Sequence, residues 1–353
     1  TPGHTPESTC LTVTEPGQET AQAVLTGDTL FIGDVGRPDL MSSVGCTAQD
    51  LAQQLYDSLH QKLMTLPDET LVYPGHGAGS MCGKNLSTDT VSTIGAQRET
   101  NYALQPMTRD EFVAQVTADQ PKVPEYFPHD AMLNRKQRQV MDTVVQRGMQ
   151  SLSKQQFLDA IEGGAQVLDA REEPEYADGH IVRSINIGLS GKFATWAGTL
   201  LDLDLPIVVV AGRGREQEVA IRLGRIGLDN MLGFLRGGIA SMGEDPEWIA
   251  KTKRATVTEA AAQLAATPPP FVLDVRGPGE FAEGHIEGSV NIPLIELRAR
   301  AFEVPSDRPV LVICRSGFRS SAGLSVLEAY DRTQSTNVVG GMLAWHEMHT
   351  ANP

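Results

Sequence analysis

A cysteine that follows an apolar run is the residue best placed for chemistry. In VLVICRSGFRSSAG, residues 310–313 predict a buried strand ending at Cys314, and an Ala/Leu-rich helical pattern follows. A thiol acts as a nucleophile in its thiolate form, which a helix N-terminus and nearby arginines favour. Arg315 and Arg319 lie in this loop, whose backbone N–H groups can form an anion-binding nest. The pattern predicts an activated cysteine, with a buried packing cysteine as the alternative.

The size of this loop indicates which reaction the cysteine performs. Phosphatase loops, which enclose a tetrahedral oxyanion, place their cysteine and arginine one residue further apart than Cys314 and Arg319. The tighter loop suits a single sulfur atom, and it resembles the active loop of rhodaneses, sulfurtransferases whose cysteine carries a persulfide. The resemblance implies catalytic roles for the cysteine and both arginines, and a persulfide loop formed by Ser316, Gly317 and Phe318.

Three further residues near the start of the chain have a pattern typical of metal ligands. His4 lies in TPGHT, Asp28 in GDTLF and His76 in PGH, and each follows a predicted strand or turn. Metal ligands have this pattern when one edge of a sheet presents them together. A lone histidine is more commonly structural or solvated, so the prediction depends on the three motifs occurring together.

These motifs resemble the second half of the metallo-β-lactamase fold. GRPDL and the later stretches TVSTIGAQRETNYAL and PKVPEYFP resemble its persulfide dioxygenase branch, especially the forms fused to rhodanese domains. The resemblance implies non-haem Fe(II) bound by two histidines and an aspartate, with open positions for O2 and a persulfide. His4 and Asp28 match the second histidine and the aspartate, whereas His76 matches a ligand of the second metal in dinuclear relatives.

The first metal histidine of that family lies outside this sequence. It belongs to an H-x-H-x-D-H motif N-terminal to TPGHT, and the sequence begins at Thr1. We therefore expect an incomplete iron site and a partial αββα sandwich, as in a fragment or a truncated gene product. Iron held tightly and stoichiometrically by this chain alone would contradict that expectation.

The resemblance suggests two substrate-binding residues beside the metal ligands. Arg37 in GRPDL matches a position that contacts the glutathione part of a persulfide, and pairing with Asp39 is the alternative. Cys82 lies where fused relatives carry a pocket cysteine, which implies a sulfur relay, with simple packing as the alternative. Cys10 and Cys46 are interpreted as structural.

Composition disfavours several classes of partner and location. The 353 residues carry a net charge of −15, which disfavours nucleic acid or an anionic membrane as partner. The longest apolar runs are shorter than the roughly 20 residues of a membrane span. Four cysteines at irregular spacing form neither a disulfide framework nor a zinc pattern, and a nucleophilic thiol needs a reducing compartment. We expect a cytoplasmic protein, and a homo-oligomer is compatible with the sequence.

The second half of the chain contains an internal repeat. Residues 168–187 and 273–292 are identical at 11 of 20 positions, and helical patterns alternate with short apolar runs in both copies. This alternation predicts parallel α/β sheets. The predicted fold is α/β, with a partial metallo-β-lactamase sandwich at 1–118, a linker at 119–148, and rhodanese-like domains at 149–252 and 253–353.

The two copies differ at the nucleophile. Ala211 stands in the first copy where Cys314 stands in the second, so we expect no sulfur transfer from the first copy. Its loop keeps glycines and arginines and is predicted to bind an anion or to form a docking surface. Residues that recur in both copies are predicted to support the fold: Asp169, Arg171 and His180, with Asp274, Arg276 and His285.

The predicted function is in sulfur metabolism. The intact parent would oxidise a low-molecular-weight thiol persulfide to sulfite at iron and move sulfane sulfur through Cys314, yielding or consuming thiosulfate. This chain is expected to retain only the sulfurtransferase activity. Two alternatives remain open: a zinc-dependent thioester hydrolase of the glyoxalase II kind, and a non-enzymatic sulfur-carrier or docking module.

Overall fold

The chain forms two compact units, Thr1–Ala131 and Met132–Pro353. A computed structural model describes residues 1–40, 45–78, 80, 82–84, 86–118, 120, 132–133, 136, 139–243 and 245–351. Within these residues, no helix combines the length and the apolar character that crossing a bilayer requires.

A four-stranded sheet forms the base of the first unit. Its order is β1-β2-β3-β4, with strands Leu11–Val13, Ala23–Gly27, Leu71–Pro74 and Ser92–Thr93. The two central strands are parallel, and both outer strands are antiparallel to their neighbours. The α-helices of this unit are Ala48–Gln61, Ile94–Thr100 and Arg109–Thr117, and its 3-10 turns are Leu63–Thr65 and Tyr102–Leu104.

The first helix begins at a side-chain cap. The Thr47 hydroxyl accepts a hydrogen bond from the Asp50 N–H and caps the N-terminus. Leu51, Leu55 and Leu59 recur at every fourth position and are fully buried in the core of this unit. The helix therefore covers one face of the sheet.

The opposite face of this sheet is apolar and exposed. Leu11, Leu25 and Tyr73 are neighbours across three strands and are 61%, 45% and 38% exposed. Val24 and Val72, on the inner face of the same strands, are completely buried. In a sandwich fold, a second sheet packs on a face of this kind.

The second unit contains the two repeated domains, each built on a five-stranded parallel sheet. The first sheet has the order β5-β10-β9-β6-β8, with strands Ser151–Leu152 (β5), Gln166–Asp169 (β6), Ile185–Asn186 (β8), Ile207–Val210 (β9) and Met231–Leu235 (β10). Its helices are Lys154–Glu162, Glu173–Asp178, Phe193–Leu200 and Glu216–Gly224, followed by the 3-10 turn Ile239–Met242. A separate antiparallel pair joins His180–Ile181 (β7) to Ile249–Ala250 (β11).

The second copy repeats this plan. Its sheet has the order β12-β16-β15-β13-β14, with strands Lys253–Ala255 (β12), Phe271–Asp274 (β13), Val290–Asn291 (β14), Val310–Ile313 (β15) and Ser335–Val338 (β16). The helices are Val257–Leu264, Pro278–Glu283, Leu294–Arg300, Phe318–Ala329 and Gly341–Ala351, with a 3-10 turn at Ala301–Glu303. The parallel α/β architecture predicted from the repeat is therefore present in both copies.

The predicted linker at 119–148 contains one described helix. Its last part forms a helix, Met141–Gly148, in which Val144 is buried. Gly224 at the end of a helix of the first copy lies against this segment, so residues 141–148 pack as part of that domain. Most of the remaining predicted linker lies outside the described residues.

Two candidate functional sites

The cysteine of the second copy lies at the carboxyl end of a buried strand. All four residues of β15 are buried, and Cys314, which follows them, is only 1% exposed. The Gly317 N–H donates a hydrogen bond to Cys314 Sγ over 3.1 Å. Gly317 has φ of +110°, a backbone conformation that favours glycine and turns this amide inward. A backbone dipole therefore points at the sulfur atom, as thiolate stabilisation requires.

Two polar residues that the sequence analysis missed form the inner wall of this site. Ser320 Oγ lies 3.4 Å from Cys314 Sγ and 2.6 Å from Asn337 Oδ1. The Asn337 side chain also donates to the carbonyl of Gly317. Ser320 lies in the first turn after the loop, so its position next to the cysteine loop could have indicated it. Asn337 comes from a neighbouring strand and had no sequence signal.

The two arginines of the loop have different environments. Arg319 donates two hydrogen bonds to the Glu280 carboxylate, over 2.6 and 2.7 Å. This interaction lowers the pKa of Glu280 below its usual value, although burial alone would raise it. Arg315 and Ser316 are exposed at the tip of the loop, and Phe318 is half-buried. Among the described residues, Arg319 is the loop arginine that forms an ion pair.

The corresponding loop of the first copy surrounds an open pocket. Ala211, Arg213, Glu216, Gly237 and Gly238 line a volume of about 420 Å³. The methyl group of Ala211 cannot attack sulfur, so this loop lacks the nucleophile of the second copy. Its predicted role in anion binding or docking stays a prediction.

The recurring Asp–Arg pairs are buried structural contacts. Arg171 donates to both oxygens of Asp169, and Arg276 does the same to Asp274. Both aspartates are completely buried. These contacts are consistent with the predicted role in supporting the fold.

In the first unit, Asp28 lies between the two predicted histidine ligands. His4 Nε2 lies 3.3 Å from Asp28 Oδ2, and His76 Nδ1 lies 2.9 Å from Oδ1. His4 Nδ1 lies 3.0 Å from the Arg37 carbonyl, which can only accept, so Nδ1 carries the proton. Nε2 is therefore the nitrogen that faces the cluster.

Cys82 joins this cluster. One donor atom from each of His4, Asp28 and Cys82 lies within 4.8 Å of the other two. The main chain of Arg37 links them, because its N–H donates to the Cys82 carbonyl over 3.0 Å and its carbonyl accepts from His4. The sequence suggested that the Arg37 side chain binds substrate. The contacts of its backbone with His4 and Cys82 had no sequence signal.

The ionisable groups of the cluster shift one another's pKa. Burial lowers the pKa of His4, and the facing Asp28 offsets only part of this effect. Hydrogen bonds with Asp28 and Cys82 raise the pKa of His76 to about 10. Burial alone would raise the pKa of Asp28, but the hydrogen bond from His76 and the charge of His4 hold it below its usual value. Asp28 is therefore a carboxylate at neutral pH, as a metal ligand must be.

The donor set fits a single metal ion. Bonds to nitrogen, oxygen and sulfur ligands of about 2.0–2.3 Å bring ligand atoms to separations comparable with those within the cluster. An imidazole, a carboxylate and a thiol suit zinc or iron better than calcium or magnesium. Cys82 belongs to the compact donor set, and His76 contacts it through Asp28. The predicted ligand set of His4, Asp28 and His76 stays a prediction.

The Arg37 side chain is enclosed. It is buried and donates two hydrogen bonds of 2.7 Å to Asp39, the pairing that the sequence left open as the alternative. A substrate carboxylate would have to compete with Asp39 for this guanidinium. Its predicted role in substrate binding stays a prediction.

Comparison with known families identifies the repeated domains. The model of the family described as "Rhodanese-like domain" matches residues 153–245 and 256–348. A sulfurtransferase of Allochromatium vinosum is 35% identical over 83 residues, which cover 24% of this chain and 78% of that protein. Both matches agree with the two α/β domains of the second unit.

Further comparisons concern the metallo-β-lactamase fold. A metallo-β-lactamase structure from Staphylococcus aureus matches with a TM-score of 0.54 and 28% identity, covering 67% of this chain and 64% of that chain. The mitochondrial persulfide dioxygenase ETHE1 of Mus musculus is 37% identical over 112 residues, which are 32% of this chain and 36% of that protein. The chain spans less than two thirds of the length of these two proteins. The predicted combination of folds is confirmed.

Proposed function

Since the chain belongs to the rhodanese-like domain family and joins two such domains to a metallo-β-lactamase fold, we propose that it transfers sulfane sulfur through a persulfide on Cys314. The observation that carries this proposal is the Gly317 N–H directed at Cys314 Sγ. The buried strand before the loop holds the cysteine in place, and the amide dipole supports a thiolate or a persulfide anion.

The proposed reaction with thiosulfate has two steps. The Cys314 thiolate attacks the outer sulfur of thiosulfate, a new S–S bond forms, and sulfite leaves with the electrons of the old S–S bond. Cyanide or a thiolate acceptor then takes the outer sulfur and restores the Cys314 thiolate. In the reverse direction, sulfite accepts sulfur from the persulfide and thiosulfate forms. The substrates are therefore a persulfide, sulfite and thiosulfate.

A thiosulfate:cyanide assay tests this proposal. We expect Cys314→Ser to lose sulfur transfer by at least about a thousandfold, because an alcohol cannot form the persulfide. Cys46→Ser, which changes a thiol outside both candidate sites, should retain the wild-type rate. Equal rates for wild type and Cys314→Ser would overturn the proposal and favour a non-enzymatic docking module.

We further propose that the first unit contributes ligands to a metal site for persulfide oxidation in the intact parent. The similarity of this chain to the mouse persulfide dioxygenase and the donor cluster of the first unit support this role. His4 and Asp28 would hold the ion, and Cys82 or His76 would complete the set. Bound Fe(II) would supply oxygen activation, whereas bound zinc would favour the alternative, thioester hydrolysis. If the first unit takes part in persulfide oxidation, the sulfite formed would be a substrate for the Cys314 site.

A further inference from the structure

We propose that the first rhodanese copy, which lacks a nucleophile, positions the Cys314 loop of the second copy. Asn186 and Gly191 of the first copy contact the helix Phe318–Ala329, which begins immediately after the active loop. Ser320 to Leu327 of this helix are all buried. The proposal rests on the assignment of Cys314 as the nucleophile and gives a physical role to the copy that carries Ala211.

The first contact is a pair of hydrogen bonds made by Asn186. Ser321 Oγ donates to Asn186 Oδ1 over 2.7 Å, and the Asn186 N–H donates to Ser325 Oγ over 3.0 Å. The Asn186 Nδ2 group in turn donates to the carbonyls of Asp169 and Arg171. The side chain thus links the carboxyl end of a strand in the first copy to the first turns of the active helix.

The equivalent residue of the second copy provides an internal comparison. Asn291 donates to the carbonyls of Asp274 and Arg276, which repeats the internal bonds of Asn186. Asn291 is only partly buried, whereas Asn186 is 2% exposed. In both copies, the asparagine therefore bonds the backbone of its own domain. Asn186 has a second role, because it also bonds the active helix of the other copy.

The second contact requires glycine in the first copy. The ring of Phe318 lies over the bare backbone of Gly191, where an added Cβ would lie 2.7 Å from two ring carbons. An added Cβ at Gly188 would lie 2.6 Å from Glu172 Oε2 of its own copy, and 3.4 Å from the Phe318 ring. Phe318 directly follows Gly317, whose N–H contacts Cys314 Sγ. A clash with this ring would therefore act on the residue next to the amide that faces the nucleophile.

The third contact fixes the far end of the same helix. The Glu328 carboxylate lies 2.8 Å from His180 Nε2 and accepts a hydrogen bond from the Arg183 N–H over 3.1 Å. His180 is completely buried, and its Nδ1 lies 2.9 Å from the Tyr176 carbonyl. The first copy therefore holds the active helix at both ends, and we assign Asn186 and Gly191 as positioning residues.

Gly191→Ala tests this role against a matched control. Gly212→Ala adds the same methyl group in the same copy, where it would meet only an Arg215 carbon at 3.8 Å. We expect Gly191→Ala to lower kcat for sulfur transfer about tenfold with little change in the KM for thiosulfate, because misplacing a nucleophile slows chemistry more than binding. Gly212→Ala should match the wild type.

A second measurement does not depend on turnover. The rate of alkylation of Cys314 by iodoacetamide, followed by mass spectrometry across pH, reports the fraction of thiolate. We expect Gly191→Ala to shift the midpoint of this curve to higher pH relative to both wild type and Gly212→Ala. In the double variant Gly191→Ala/Phe318→Leu, the smaller side chain should move the midpoint back toward the wild-type value.

Ser321→Ala keeps the test decisive if Gly191→Ala fails to fold. It removes the hydroxyl that bonds Asn186 Oδ1, and we expect a shift in the same direction and a loss in kcat of about two- to fivefold. Unchanged kcat and alkylation midpoints in both Gly191→Ala and Ser321→Ala would overturn the positioning role. Absence of sulfur transfer in the wild type would instead overturn the proposed function, while the alkylation curves would still decide the positioning role.

Discussion

At the scale of single residues, the partner of Arg319 changes the role assigned to it. The sequence suggested an arginine that holds Cys314 as a thiolate and stabilises a sulfur anion. The structure pairs both of its terminal nitrogens with Glu280, and its side chain is 19% exposed. Arg319 therefore first neutralises a carboxylate, and Glu280 limits how freely this guanidinium can turn toward a substrate anion.

Arg319→Ala is expected to slow sulfur transfer by about tenfold or more, because it leaves Glu280 as an unpaired negative charge in the wall of an anion site. The double variant Arg319→Ala/Glu280→Ala removes that charge and should recover part of the loss. The kcat of the thiosulfate:cyanide reaction measures both effects. A double variant slower than Arg319→Ala would contradict this explanation.

The same pair predicts a pH dependence of stability. The pKa of Glu280 is lower in the folded chain than its ordinary value. The pair therefore stabilises the fold fully when the pH is above the ordinary glutamate pKa of about 4.3. This contribution is lost as the pH falls through the lowered pKa. After allowance for solvent exposure, we expect Arg319→Ala to lower the free energy of unfolding by about 1 kcal/mol at pH 7, and by less in acid.

At the scale of elements, the turn before the last helix controls the backbone of the active loop. The N–H groups of Met342 and Leu343 donate to the carbonyls of Cys314 and Arg315 over 2.8 and 3.0 Å. Gly341 has φ of +57°, and an added Cβ would lie 2.4 Å from the Cys314 carbonyl oxygen. The turn can therefore approach the loop this closely only with glycine at this position.

Gly341→Ala is expected to reduce sulfur transfer by more than about tenfold, since the methyl group displaces the backbone of the nucleophile. Gly238→Ala is the matched control, because Gly238 holds the same place in the first copy with φ of +61°. Its nearest neighbour, the Ala211 carbonyl oxygen, would lie 3.8 Å from the new Cβ. Both variants share the cost of a positive φ, so equal activities would show that contact with the Cys314 backbone is unimportant.

The elements also show what the sequence could and could not predict. The repeat and the apolar runs predicted two parallel α/β domains, and Cys314 was placed correctly at a strand end because strand and loop signals are local. The contact between Ser321 and Asn186 joins residues 135 positions apart, and no local pattern encodes it. His180 and His285 share one motif, yet the first is buried against the second copy and the second is exposed.

At the scale of the whole molecule, the chain combines two units with separate candidate chemistry. The donor cluster of His4, Asp28 and Cys82 lies in the first unit, and Cys314 lies in the second. Each unit has its own hydrophobic core, built from the helix Ala48–Gln61 and its sheet in the first and from the two parallel sheets in the second. Substitutions within one site are therefore expected to leave the fold of the other unit intact.

Asp28→Ala and Cys314→Ser should consequently have opposite effects. We expect Asp28→Ala to lose most of the Fe(II) or Zn(II) that the wild type binds on reconstitution, because it removes the carboxylate between the two histidines. Its rate of sulfur transfer should stay within about twofold of the wild-type rate. Cys314→Ser should bind metal as the wild type does and lose sulfur transfer. Elemental analysis after removal of free metal and the thiosulfate:cyanide rate measure the two properties on the same samples. Unchanged metal content in Asp28→Ala would contradict the metal site, whereas a large loss of sulfur transfer in that variant would contradict the independence of the two units.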